Sequence, residues 1–240
     1  MTDAGKVRTH NEDNVIILNK NNEFILAVAD GIGGHKAGEI ASSIAIEHIT
    51  EVFDKIESFG KKEDAIEWMR NVVKEINDKI FSYTKDHPES KGMGTTLVVA
   101  IKTDDYVLYG NIGDSSGYVI KNEKIHKVTR DHTLVNLLVS TGELSPEQAK
   151  FHPRKNLLTR ALGANDPIEI DIFDVDTSVK GIFLCSDGLT NMLTEEQIEK
   201  ILNSDLSTED MVDKLIRKAN SRGGTDNISI AYLKKESGDL

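Results

Sequence analysis

Cysteine, proline, long apolar runs and an excess of basic charge are all missing or scarce in this chain of 240 residues, and each shortage removes a class of protein. A single cysteine, Cys185, excludes an internal disulfide; it closes the apolar run from Gly181 and reads as a small buried residue, consistent with a reducing cytoplasm. Only four prolines, with no Gly/Ser-rich stretch or charge block, leave nothing to act as a linker or disordered tail, so residues 1–240 read as one domain. No run approaches the roughly 18 apolar residues that a membrane helix needs, and the first residues show neither the basic start nor the apolar core of a signal peptide. Lys and Arg number 29 against 40 Asp and Glu, a formal net charge of −11, which argues against nucleic acid or an anionic membrane as a partner.

What the chain does have is aspartate placed where apolar runs meet glycine. Four segments far apart in sequence show it: Val28-Ala29-Asp30-Gly31, Asn111-Ile112-Gly113-Asp114, Leu184-Cys185-Ser186-Asp187-Gly188 and Gly223-Gly224-Thr225-Asp226. One Asp-Gly pair is usually a surface turn. Repeated behind four strand-like runs, the pattern aims carboxylates past strand ends into a shared cleft, where they would repel one another unless a cation sat between them. Hard oxygen donors of this kind suit Mg²⁺ or Mn²⁺, and suit zinc or copper poorly.

Periodicity orders the rest. Asn14 to Leu18 and Phe24 to Ala29 read as a hairpin turned at Lys20 to Asn22, followed by a helical pattern from Ala37 to Phe59. A second helix carries Ile66, Met69, Val73, Ile76, Ile80 and Tyr83 on one face, a core-packing stripe. Strands are expected at Thr95 to Lys102, Tyr106 to Ile112 and Tyr118 to Val128, with a turn at Asn122-Glu123. An excursion of short helices from Asp131 to Asn165 includes a capped start at Ser145-Pro146-Glu147-Gln148. Strands return at Ile168 to Val175 and Gly181 to Cys185, then helices begin at Thr194 and Ser207, and Asn227 to Leu233 forms the last strand. Because strands and helices come in blocks, the order points to packed sheets with paired helices outside, an α+β architecture.

Taken in order, Thr2-Asp3-Ala4-Gly5 with Arg8 and Asn11-Glu12-Asp13, Asp30-Gly31-Ile32-Gly33-Gly34 with Gly38-Glu39, Gly94-Thr95-Thr96, Gly113-Asp114-Ser115, Ser186-Asp187-Gly188 and Gly224-Thr225-Asp226-Asn227 resemble the metal-dependent PPM family, the type 2C serine/threonine protein phosphatases, and among them the bacterial single-domain members. The resemblance runs from Thr2 to about Leu233 and implies a four-layer αββα sandwich of two antiparallel sheets flanked by helix pairs, with two Mg²⁺ or Mn²⁺ ions in a cleft at one end. By similarity Asp30 bridges the metals, Gly31 lends its carbonyl, Asp187 and Asp226 complete the second ion, and Asp114 is the match for a ligand of a third, weaker metal. Glu12 acts through metal-bound water, Asn227 holds Asp226, and Arg8 takes the substrate phosphate. A planar guanidinium fork suits two phosphate oxygens better than a lysine does.

The chemistry implied is hydrolysis of phosphoserine and phosphothreonine by a hydroxide that two metals generate near neutral pH. Cys185 has no basic neighbours and no phosphate-cradling loop, so a cysteine phosphatase is excluded. Departures from the family pattern are Ile32, where some members carry a histidine proposed as general acid, and Ser116, where arginine is usual. His35 reads as a loop residue and His132 as ordering the start of the excursion, while His10, His48, His87, His126 and His152 show no metal-site spacing. The excursion, 131–165, matches the family's flap and is expected to set substrate choice. Expected partners are phosphorylated proteins, including a Ser/Thr kinase and its substrates, met by a monomer. The alternative, a catalytically weak or inactive relative that binds phosphoproteins as a regulator, would be expected to have lost a metal aspartate; Asp30, Asp187 and Asp226 are all present.

Overall fold

The computed structural model describes residues 1–34 and 37–235, so His35 lies outside the described residues. After β1 (Thr2–Asp3), strands β2 (Asp13–Lys20) and β3 (Glu23–Ile32) form the expected hairpin. Asn21 and Asn22 turn it with φ of 53° and 62°. Two successive positive φ values make the turn type whose twist matches the flanking strands, and asparagine tolerates them better than most residues.

Helices α1 (Ala37–Lys55) and α2 (Lys62–Asp86) follow. The stripe on α2 is buried at Met69, Val73, Ile76 and Ile80, with Ile66 and Tyr83 packed at its border. α1 stops short of the expected Phe59. Phe59 is nonetheless buried, with its ring 5.6 Å from Phe53 and 5.1 Å from Trp68, so the apolar signal that lengthened the helical pattern comes from a packed loop.

β4 (Gly94–Thr95), β5 (Leu97–Lys102), β6 (Val107–Ile112), β7 (Ser116–Lys121) and β8 (Lys124–Lys127) lead to the excursion, where α3 (Leu134–Ser140) and α4 (Pro146–Lys150) are its helices. Ser145 caps α4 as expected: its hydroxyl accepts from the Gln148 amide, and the Gln148 side chain accepts from the Ser145 amide. β9 (Asp171–Val175) begins later than expected, because Ile168 and Ile170 pack against the α1–α2 core without joining the ladder. β10 (Gly181–Cys185) is followed by α5 (Asp187–Thr190), a single turn that sequence periodicity does not resolve, then by α6 (Glu195–Leu202), α7 (Thr208–Ser221) and β11 (Ile228–Lys234).

The strands form two antiparallel sheets. One runs β1-β11-β10-β7-β8 and the other β2-β3-β5-β6-β9, with β4 beside β3. Alternation along each strand splits its residues between two cores. On β3, Ile25, Ala27 and Ala29 meet α1 and α2, while Leu26 and Val28 face the opposite sheet. On β10, Phe183 and Cys185 face α6 and α7, while Ile182 and Leu184 point inward. The result is the four-layer αββα sandwich. Central strands buried on both faces explain why they read as unbroken apolar runs. Each large side chain so buried is worth roughly 1.5–3 kcal/mol of transfer free energy. Among the described residues no helix is long and apolar enough to cross a membrane.

Candidate active site

At one edge of the sandwich the ends of β3, β6 and β10 and the start of β11 open onto a cleft of about 610 Å³. Arg8, Glu12, Asp30, Gly31, Asp114, Asp187, Asp226 and Asn227 all line it. Every site residue expected from the sequence is therefore in one place.

Asp30 lies near the end of β3. Its amide donates to Thr96 Oγ1 at 3.0 Å and its carbonyl accepts from the Thr96 amide and from Thr95 Oγ1, both at 2.9 Å, so its backbone is fixed from the β4–β5 side. Gly31 follows under tight constraint. A Cβ there would lie 2.3 Å from the Gly38 carbonyl oxygen at the start of α1 and 2.7 Å from that of Glu12, so only glycine lets these three backbones meet. Asp187 is the first residue of α5, where its charge suits a helix N-terminus. One of its oxygens accepts from Asn191 Nδ2 at 3.0 Å; the other, Oδ1, is buried with no protein partner.

Asn227 is a wider organiser than expected. Its backbone amide, and not its side chain, donates to Asp226 Oδ1, at 3.0 Å. The side chain instead ties down the loop that carries Arg8 and Glu12: Nδ2 donates to the Ala4 and His10 carbonyls, and Oδ1 accepts from the Glu12 amide at 2.9 Å. Arg8 reaches back over this loop and pairs with Asp226 Oδ2 at 2.9 Å, its side chain half exposed at the rim.

Sequence reasoning gave no role to Asp13, Ser186, Thr96 or Ser115, although all four lie in the quoted motifs. Asp13 is buried and sits opposite Asp30 in the β2–β3 ladder. Its Oδ2 accepts from Ser186 Oγ at 2.7 Å, and Ser186 Oγ in turn accepts from the Ser229 amide at 2.9 Å, a polar tie between the two sheets. The hydroxyls of Thr96 and Ser115 meet at 2.8 Å beneath the cleft. Ser116, where the family usually has arginine, is buried with an unpartnered hydroxyl.

Electrostatics follow from burial of like charges. Burial, reinforced by the neighbouring aspartates, holds Asp30 well above the usual carboxylate range. Burial likewise pushes Asp13 and Asp114 up to about 7, against hydrogen bonds from Ser186 and Ser229 at Asp13. Asp187 is raised by burial and then by Asp226, and Glu12 is raised chiefly by burial. Burial also drives the Cys185 thiol far up, which removes it as a nucleophile.

A hard divalent cation fits this donor set. The donors are oxygens throughout, the carboxylates repel, and a buried Asp187 oxygen lacks a partner. Among the described residues no three His, Cys, Asp or Glu groups close into a compact cluster.

Fold and cleft together define a metal-dependent phosphatase built on an αββα sandwich. Residues 4–229 match the protein phosphatase 2C family, and the chain belongs to that family of metal-dependent serine/threonine protein phosphatases. It is 42% identical over 237 residues to the serine/threonine phosphatase stp of Listeria monocytogenes, covering 98% of this chain and 94% of that one. The structure of the S. agalactiae serine/threonine phosphatase aligns with a TM-score of 0.93 at 33% identity, over 98% of both chains. The catalytic domain of the serine/threonine protein phosphatase PstP, solved in complex with two manganese ions, aligns with a TM-score of 0.82 at 30% identity, over 98% of this chain and 95% of that one.

Proposed function

We propose that this protein removes phosphate from phosphoserine and phosphothreonine of cytoplasmic proteins as the counterpart of a Ser/Thr kinase, working as a monomeric single domain with two Mg²⁺ or Mn²⁺ ions. The observation that carries this reading is the convergence of Arg8, Glu12, Asp30, Gly31, Asp187, Asp226 and Asn227 on one cleft, with a buried oxygen of Asp187 left for a cation. Asp30, the Gly31 carbonyl, Asp187 and Asp226 hold the two principal ions, and Asp114 with Asp187 holds a third, weaker one. When bound, the cations neutralise charge on the phosphoryl group and bring the pKa of water at the site near neutrality.

The chain's own residues do the rest. Arg8, half exposed at the rim, grips two phosphate oxygens; its present contact with Asp226 marks how far it reaches into the cleft. Glu12 orients water from the β2 side, and Asn227 keeps the Arg8–Glu12 loop against Asp226. With Ile32 beside Gly31, no histidine is supplied as general acid there, and the leaving alkoxide takes its proton from water. The flap, 131–165, borders a second groove of about 370 Å³ that shares Asp114, Asp187 and Asn156 with the cleft and includes Lys150 and Lys155. Residues flanking the phosphorylated side chain lie along it.

The test is turnover of an aryl phosphate and of a phosphothreonine peptide with Mn²⁺, with Mg²⁺ and after exhaustive chelation. Hydrolysis of both that depends on added metal is expected. Metal-independent turnover would overturn the ligand assignment, and peptide binding without hydrolysis would favour the regulator reading.

A further inference from the structure

His132 stands at the first turn of the flap, yet its contacts run to the cleft. Its Nδ1 lies 3.1 Å from the Gly113 amide, and its own amide donates to the Gly113 carbonyl at 2.8 Å, so it grips both sides of the residue preceding Asp114. Nε2 lies 3.1 Å from Asp171 Oδ2 on β9. Its carbonyl accepts from the Thr159 amide at 2.8 Å, which closes the two ends of the flap on each other. Arg160 completes the group: Nη1 bonds Asp171 Oδ1 at 2.6 Å and the Glu169 carbonyl at 3.2 Å.

These partners determine the tautomer. The Gly113 amide can only donate, so Nδ1 must be the unprotonated acceptor, and the proton sits on Nε2, pointing at Asp171. Arg160 Nη1, 3.3 Å from Nε2, is then a donor facing a donor; it serves the ring by holding Asp171. Burial, with the nearby Arg160 charge, lowers the His132 pKa and keeps the ring neutral, although Asp171 opposes the shift. A solvated loop histidine has no such set of partners. The side chain is only 9% exposed.

We infer that His132 is a positioning residue, which holds the Gly113–Asp114 turn at the height that lets the Asp114 carboxylate serve a cation and makes that height depend on the closed base of the flap. Gly113 has φ of 101°, a conformation with few local preferences to hold it, so an external grip on both its amide and carbonyl defines where the next side chain points. The inference rests on the proposed role of Asp114.

Asparagine and glutamine separate the two ring nitrogens. Asparagine places an acceptor where Nδ1 was, and glutamine places a donor where Nε2 was. Titration of Mn²⁺ alone, by calorimetry, is read for the wild type, His132→Asn, His132→Gln and Asp114→Asn, with thermal melting of each and kcat and KM on an aryl phosphate. Asp114→Asn is expected to lose the weakest class of bound Mn²⁺. His132→Gln is expected to weaken that class roughly tenfold, as outer-shell changes do at metal sites, and to lower kcat more than it raises KM, while His132→Asn stays close to wild type. Equal titrations for the asparagine and glutamine variants, or a lower melting temperature in the glutamine variant with unchanged Mn²⁺ binding, would overturn the inference and leave His132 a structural tie. Wild-type titration of Asp114→Asn would instead overturn the ligand role of Asp114, and the inference with it.

Discussion

Asp13 and Asp30 face each other directly across the β2–β3 ladder, two carboxylates in register, of which Asp30 lines the cleft and Asp13 is buried behind it. Like charges so placed destabilise a strand pair, and here both are also taken out of water: burial raises both groups, the Asp13 charge adds to the shift at Asp30, and the charges of Asp187 and Asp226 add to the shift at Asp13. Neutralising one of them relieves the chelated protein. Asp13→Asn is expected to raise the melting temperature in EDTA at pH 8 by about 2–4 °C, the shift that 1 kcal/mol makes in a domain of this size. Scanning calorimetry checks it; a lower melting temperature would mean that the carboxylate's bond from Ser186 outweighs the repulsion.

The same raised groups set a pH dependence. A carboxyl whose folded pKa lies above its unfolded value holds a proton longer in the folded state, so its contribution is full below about pH 4 and is lost as pH rises toward 7. The chelated protein should therefore melt at progressively lower temperature between pH 5 and pH 8. Mn²⁺, which needs the deprotonated ligands, should raise the melting temperature more at pH 8 than at pH 5.5. Paired melts with and without Mn²⁺ decide it, and a flat pH profile in EDTA would contradict the assignment.

Asp30→Asn and Asp187→Asn should each reduce turnover of an aryl phosphate by at least roughly 100-fold, because either removes a proposed ligand of the cations that would acidify water. Steady-state assays at saturating Mn²⁺ measure it. Near wild-type kcat in both variants would make these carboxylates structural.

Arg8→Ala should chiefly raise KM for phosphorylated substrates, and Arg8→Lys should restore only part of the loss, since an ammonium is a point charge without the paired geometry. Equal kinetics for lysine and arginine would remove the bidentate role. Arg8→Ala also frees Asp226 Oδ2 from its 2.9 Å ion pair, so in that variant Mn²⁺ affinity is expected to hold or rise while phosphate recognition falls.

Gly31→Ala is a steric test of the cleft floor. With carbonyl oxygens of Gly38 and Glu12 at 2.3 and 2.7 Å from the added carbon, β3, the β2 entry and the start of α1 must separate. Overpacking of this kind costs roughly 1–3 kcal/mol, and here it also displaces the carbonyl proposed as a ligand. A lower melting temperature together with weaker Mn²⁺ binding is expected; a stable variant with normal affinity would show that the approach is not needed.

Much of this site was legible because glycine punctuates it. Asp30, Asp114 and Asp187 each stand directly beside a glycine and Asp226 two residues after one, all at the margin of an apolar run, and the structure brings all four to one cleft. Asp13 escaped because it opens a strand whose alternation absorbs it, and nothing in its own segment shows that Asp30 will lie opposite. α5 escaped because a single turn is too short to show a period of 3.6. The polar tie through Ser186 joins residues of both sheets, and the His132 contacts span the flap base, β9 and the turn after β6; such long-range pairings have no local signature. The sandwich itself was readable, since strands and helices come in blocks and the central strands are apolar on both faces.

The clamp made by Asn227 also gives the protein a clock. Its side chain holds the carbonyls of Ala4 and His10 and the amide of Glu12, and β1 is seated on β11, so the loop that carries Arg8, tied to β3 and α1 only through the Glu12 carbonyl, gains the rest of its anchoring when the segment around residues 224–234 arrives. During synthesis the ribosome must release nearly the whole sandwich before Arg8 can take its place. A prematurely ended chain lacking that segment would carry most of the aspartates but not Asp226 or the clamp, and its activity is expected to be lost.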